Sequence, residues 1–127
     1  METKDYQIGS IPAVLYGKPS EKGYLFIHGQ GGNKEEAAAF AQIAVSAGYQ
    51  VLGIDLPQHG ERTAMTSGFD PWTVVPELQE ALAERKPHWS SISLRANSIG
   101  AFFLCLPFSM SLSAKHFLYL LLLIWNG

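Results

Sequence analysis

The chain has 127 residues, a length that permits one domain with a hydrophobic core but is short for a large α/β enzyme. Its net charge of -2 and the absence of a basic cluster give no electrostatic reason to expect a nucleic acid partner. The single cysteine, Cys105, excludes an internal disulfide framework, and its apolar neighbours favour a buried residue over a reactive thiol.

The two ends of the sequence bear on its location in the cell. Residues 1–5 are charged and lack the apolar segment of a secretion signal, which predicts a cytoplasmic protein. The longest apolar run, 117–125, is shorter than the ~20 residues of a membrane-spanning helix, so we predict no membrane span. A small protein attached to a membrane through this tail is the weaker alternative.

Short strands and turns dominate the first part of the chain. Apolar segments at 6–8 and 12–16, separated by Gly9 and Ser10, predict an N-terminal hairpin. After a turn-rich connector, the continuous apolar run 24–27 is typical of a strand that is buried on both faces of a parallel sheet. The chain therefore begins as a hairpin that leads into a parallel sheet.

Helices and strands alternate after this point. Asn33 is placed to cap a helix and Gly48 to end it, whereas Pro76 predicts that the second helix begins its first turn late. The elements are a helix at 34–47, a strand at 50–55, a helix at 71–85 and a strand at 90–95. This alternation predicts right-handed crossovers and a three-layer α/β fold with a mostly parallel sheet.

Ser98 follows the last predicted strand, at the centre of the pentapeptide 96–100. The small residues Ala96 and Gly100, two positions before and after it, allow a sharp strand-to-helix turn that exposes the serine hydroxyl at the top of the sheet. The pattern predicts a nucleophile elbow with Ser98 as the catalytic residue. The alternative is a serine that caps the start of an ordinary helix.

A glycine-rich motif follows the predicted strand 24–27. Glycines let backbone N–H groups approach a ligand, and such a loop can supply one N–H of an oxyanion hole while the residue after the nucleophile supplies the other. Gln30 and Ile99 are the candidate donors. A phosphate-binding turn and an ordinary loop are the alternatives, but the Lys-Ser/Thr ending of a P-loop is missing. The motif consists of His28, Gly29, Gln30, Gly31 and Gly32.

The loop 55–62 brings together an acid, a histidine and a base, namely Asp55, His59 and Arg62. A metal site or an acid/base site could be built from such groups, but their spacing fixes no metal geometry, so a structural turn is the favoured interpretation. A structural role is likewise favoured over a general base for His28, which follows a buried strand. We predict no cofactor and no metal.

Taken together, the motifs 28–32, 55–60 and 96–100 resemble the three landmarks of the α/β-hydrolase superfamily, in the same order. The resemblance covers about 6–106 and implies an incomplete α/β-hydrolase core. It also implies that Ser98 attacks a small-molecule acyl substrate, cleaving an ester, thioester or amide through an acyl-enzyme. The N–H groups of Gln30 and Ile99 would then form the oxyanion hole.

The sequence departs from the family after the elbow. The family places an acid and then a histidine beyond the serine, whereas His116 is the only histidine after Ser98 here and no acid follows Glu84. Without these partners a serine hydroxyl is weakly nucleophilic, so we expect this chain to be inactive. The alternative is a catalytically dead fragment or pseudoenzyme that has at most a binding role.

A change in composition divides the predicted single domain into a family-like part, 1–103, and an atypical apolar tail, 104–127. Out-of-frame translation of the tail is one hypothesis, because shifting 115–127 by one nucleotide permits a strand followed by an acidic loop. A natural short paralogue and an ordinary hydrophobic terminus are the alternatives. A truncated sheet would expose the edge of its last strand, so we expect self-association and poor solubility.

Overall fold

The computed structural model describes residues 1–97. The predicted site residues Ser98, Ile99 and Gly100 lie outside the described residues, as does the tail 104–127, so the division of the domain stays a prediction. The strands are β1 (Thr3–Ile8), β2 (Ile11–Tyr16), β3 (Lys22–Ile27), β4 (Gln50–Ile54) and β5 (Ser91–Ala96). The helices are α1 (Ala37–Ser46) and α2 (Pro71–Arg85), with 3-10 turns at Lys34–Glu36 and Gly60–Arg62.

The five strands form one mixed sheet in the order β1-β2-β4-β3-β5. The predicted hairpin is confirmed, since β1 and β2 pair antiparallel from Thr3 opposite Tyr16 to Ile8 opposite Ile11. β2 also pairs antiparallel with β4, whereas β3 pairs parallel with both β4 and β5. The parallel part of the described sheet is therefore centred on β3, the strand with the continuous apolar run.

Two hydrophobic clusters lie on opposite faces of the sheet and confirm the three layers. On one face α1 contributes small buried residues, Ala37, Ala41 and Ala44, which pack close to the strands. On the other face α2 contributes Val74 and Leu78. The helices that follow β3 and β4 therefore lie on opposite faces, and open α/β sheets bind their ligands at the carboxyl ends of strands where this change of side occurs.

α2 has the predicted bounds, 71–85, and only the position of its first turn differs from the sequence prediction. The Asp70 carboxylate accepts the Thr73 N–H at 2.9 Å and caps the helix, so Pro76 lies inside it and does not mark its first turn. A proline there leaves the carbonyl of Trp72 without a helical donor. Trp72 is 84% exposed, so water can supply the missing hydrogen bond. Within residues 1–97, no helix has the length and apolar character needed to cross a bilayer.

Candidate active site

Three segments meet at the carboxyl ends of the parallel strands. The glycine loop 28–33 follows β3, the loop 55–62 follows β4, and Asn97 follows β5. The Asn97 N–H donates to the Ile27 carbonyl at 3.0 Å, which extends the β3–β5 pairing to the last described residue. This bond places the backbone of Asn97 beside the end of β3, where the glycine loop begins.

His28 is completely buried and cross-links the loops after β3 and β4. Its Nε2 accepts the Leu56 N–H at 3.1 Å, which requires the tautomer with the proton on Nδ1. Nδ1 then donates to the Gly29 carbonyl, 2.7 Å away. Both ring nitrogens are used by the backbone, so His28 has the structural role that the sequence analysis favoured.

Burial also makes His28 a source of pH-dependent stability. Desolvation is the main reason why the pKa of His28 lies below its ordinary value. As pH falls below 6.5, the unfolded chain takes up a proton before the folded chain does, so the free energy of unfolding decreases. We expect the free energy of unfolding, measured with urea, to decrease by up to about 1.4 kcal/mol for each unit that the pH falls below this value. Above neutral pH this contribution to stability should be fully present.

Two variants test the origin of this decline. In His28→Gln this contribution is absent. The slope of the unfolding free energy against pH should therefore decrease by about 1.4 kcal/mol per pH unit, which corresponds to one proton. His88→Gln, at an exposed histidine, should keep the slope of the parent chain. An unchanged slope in His28→Gln would show that other groups cause the decline.

Hydrogen bonds within residues 1–97 occupy two consecutive N–H groups of the glycine loop, those of Gly31 and Gly32. The Gly32 N–H donates to the Gly29 carbonyl at 3.0 Å, and the Gly31 N–H donates to Nε2 of His59 at 3.0 Å. Gly31 has a φ of 81°, a left-handed conformation that glycine adopts without steric cost. Within residues 1–97 the N–H of Gln30 makes no hydrogen bond, and the residue is exposed. The arrangement presents a backbone donor to a ligand.

The loop after β4 is organised around Asp55, which is completely buried. Its carboxylate accepts the backbone N–H of Lys34 at 2.7 Å and that of Glu61 at 3.0 Å. Gly60 has a φ of 56°, and a Cβ atom at that position would lie 2.2 Å from the Asp55 carboxylate. The carboxylate therefore fixes the backbone of both loops, which agrees with the structural turn favoured for 55–62.

Lys34 is buried beside this carboxylate. Its ammonium lies 3.4 Å from Asp55 and 3.0 Å from Glu35, and it also pairs with Glu61. Burial alone would lower the pKa of Lys34, but the hydrogen bonds to the two glutamates and the charge of Asp55 raise it above its ordinary value. The lysine stays charged and compensates the carboxylates. Among the residues that the structure describes, no cluster of acids, histidines or cysteines could hold a metal ion.

Two residues of the site escaped the sequence analysis. Glu36, which the sequence analysis does not single out, accepts the side-chain N–H of Asn97 at 2.9 Å and so connects the start of the helix to the residue before Ser98. His59, interpreted as part of a structural turn, holds the glycine loop. The predicted topology could have indicated both residues, because both follow or adjoin the carboxyl ends of parallel strands, which meet at one edge of the sheet.

Comparisons with known proteins identify similar folds but no close relative. No family model matches the chain, and no curated protein matches it. A thioesterase domain from the curacin biosynthetic pathway is 24% identical with a TM-score of 0.67, covering 82% of this chain and 39% of its own. Epoxide hydrolase I of potato (Solanum tuberosum) is 18% identical with a TM-score of 0.66, covering 80% and 34%.

An esterase from Exiguobacterium antarcticum is also similar, at 19% identity and a TM-score of 0.61, covering 73% of this chain and 34% of its own. The chain thus spans less than half the length of these structures. At such identities the likeness establishes the fold and leaves the reaction open.

Proposed function

Because the chain has the α/β-hydrolase fold, we propose that it is a serine hydrolase by type, which cleaves an ester, thioester or amide at Ser98. The fold confirms the resemblance drawn from the three motifs. The observation that carries the proposal is the exposed N–H of Gln30, which makes no hydrogen bond to any other residue in the described part of the chain. It lies on the glycine loop at the edge of the sheet where β5 leads into Ser98.

The proposed reaction begins when the Ser98 hydroxyl attacks the carbonyl carbon of a small-molecule acyl substrate and loses its proton to a general base. The carbonyl oxygen becomes an oxyanion, to which the N–H groups of Gln30 and Ile99 donate. Collapse of this intermediate expels the protonated leaving group and leaves an acyl-enzyme, which water hydrolyses. One oxyanion donor of this kind contributes about 10²–10³ in kcat.

The general base does not come from the two buried histidines. Nε2 of His28 accepts the Leu56 N–H, and Nε2 of His59 accepts the Gly31 N–H, so neither nitrogen is free to take the serine proton. Beyond Ser98 the sequence contains one histidine, His116, and no acid that could orient it. We therefore propose that this chain by itself does not turn over a substrate, and that Ser98 keeps only the residual reactivity toward an acylating probe that the oxyanion donors support. The cytoplasmic location expected from residues 1–5 stays a prediction.

The alternative is a chain that binds without catalysis. Within residues 1–97, β5 pairs with β3 along one edge only. In this described part its other edge presents backbone N–H and C=O groups that can pair with another strand, and we propose a second copy of this chain as the partner. In this proposal the chain is a pseudoenzyme that associates through its sheet.

A fluorophosphonate probe, which reacts covalently with activated serines, tests the two functions on the purified chain. We expect slow labelling that disappears in Ser98→Ala and persists in Ser10→Ala, a change in the exposed hairpin turn. Circular dichroism shows whether each variant is folded. A folded chain that is never labelled contradicts the hydrolase proposal. Light scattering on the same samples then tests the alternative, because a strictly monomeric chain contradicts pairing through β5.

A further inference from the structure

His59 has a fully determined orientation beneath the glycine loop. The ring is buried and lies 4.5 Å from the ring of Phe69 and 5.0 Å from that of His28, measured between centroids. Nδ1 is 2.9 Å from the Pro57 carbonyl and Nε2 is 3.0 Å from the Gly31 nitrogen. The Gly31 N–H can only donate, so Nε2 carries no proton and Nδ1 donates to Pro57.

The hydrogen bond from the Gly31 N–H to Nε2 of His59 affects which N–H groups of the glycine loop can donate to a ligand. The N–H groups of Gly31 and Gly32 are both used within the described residues, whereas that of Gln30, between Gly29 and Gly31, is not. If His59 carried a proton on Nε2, two hydrogens would point at each other and the loop would have to move. Any such movement would also displace the Gln30 N–H, because Gln30 is the residue whose carbonyl carbon is bonded to the Gly31 nitrogen.

We infer that His59, as the neutral tautomer with its proton on Nδ1, is a positioning residue that sets the glycine loop so that Gln30 can donate to an oxyanion. The inference rests on the proposed function for the use of that donor. His59 does not touch the substrate in this role. It acts through Gly31, and the two rings that pack on it hold it in place.

Hydrogen exchange read by mass spectrometry tests the contact in the full chain. His59→Phe keeps a ring against Phe69 but removes the acceptor, so exchange of the Gly31 amide should become about 3- to 10-fold faster. His59→Gln places a side-chain oxygen near the position of Nε2 and should restore most of the protection. His88→Gln, which changes an exposed histidine, should leave the loop unaffected.

Two results would overturn the inference. One is an unchanged Gly31 exchange rate in His59→Phe. The other is equally faster exchange throughout residues 1–97, because that pattern reports general destabilisation. A long-range ¹H–¹⁵N spectrum of the histidine side chains adds an independent signature: a proton on Nε2 of His59 at neutral pH contradicts the assigned tautomer.

Labelling by the fluorophosphonate separates this inference from the proposed function. In a chain that labels at Ser98, His59→Phe should slow labelling about 10-fold or more and His59→Gln should restore it, because the probe's developing oxyanion needs the same donor. Equal labelling rates in all three chains overturn the link to the oxyanion. If the parent chain is folded but unlabelled, the hydrolase function fails, while Gly31 exchange still decides whether His59 holds the loop.

Discussion

Replacing Asp55 with alanine is expected to destabilise the folded chain by about 3–5 kcal/mol, measured by urea unfolding. The buried carboxylate accepts the backbone N–H groups of Lys34 and Glu61, and the variant leaves both donors without a partner. Each unsatisfied buried donor costs about 1–3 kcal/mol. The Lys34 charge adds less to this cost, because Glu35 and Glu61 continue to compensate it.

Two further variants separate these contributions. Asp55→Asn keeps one acceptor oxygen but turns an amide group toward the second backbone donor, so its loss should be smaller than that of the alanine variant. Asp5→Ala removes an exposed carboxylate from β1 and should change stability by less than about 0.5 kcal/mol. A loss below about 1 kcal/mol in Asp55→Ala would show that the loops find other acceptors.

Trp89→Ala is expected to cost about 3–5 kcal/mol, because it empties a large volume in the core. Trp89 is 2% exposed, and its ring packs directly on β3 at Gly23, where a Cβ atom would lie 2.0 Å from the indole. Its Nε1 donates to the Gln50 side chain at 2.9 Å, and the guanidinium carbon of Arg85 lies 4.9 Å from the ring centroid. The variant therefore loses packing and a buried hydrogen bond together.

Trp72→Ala provides a matched control, since it deletes the same side chain where it is exposed. Its unfolding midpoint should stay close to that of the parent chain. Gly23→Ala changes the other partner of this contact. Its added methyl group overpacks against the indole and should destabilise the folded chain by about 1–3 kcal/mol. Equal effects of the two tryptophan variants would contradict the assigned packing.

Local patterns in the sequence were enough to predict most of the elements but not how they pair. The hairpin, the buried strand β3 and the Asn33 cap were predicted because each depends on neighbouring residues, and the Asn33 side chain does accept the Glu35 N–H at 3.0 Å. The strand order β1-β2-β4-β3-β5 was not, because the choice of partner for a strand depends on contacts between distant segments. The bounds of the second helix, 71–85, were also predicted, but the expectation that Pro76 marks its first turn was wrong, because Asp70 caps the helix before it.

In the site, too, the features set by neighbouring residues were predicted and those set by contacts between distant segments were not. The glycine loop and a structural His28 were predicted from their position after an apolar strand. Lys34 could not be recognised as buried, because Asp55 and Glu61, which compensate its charge, come from another loop. The role of His59 depends on one ring nitrogen meeting one backbone N–H across two loops, a geometry that no local pattern encodes.

The position of β3 between β4 and β5 also has a consequence for synthesis. β3 emerges from the ribosome early, yet Lys22 pairs with Ser91 and Ile27 with Ala96, near the end of the described part. Pairing between segments so far apart in the chain is slow, because the closure of long loops precedes any gain from contacts. One edge of the apolar strand β3 therefore stays unpaired until β5 has been made. Exposed apolar segments and unpaired strand edges of this kind favour aggregation of the incomplete chain.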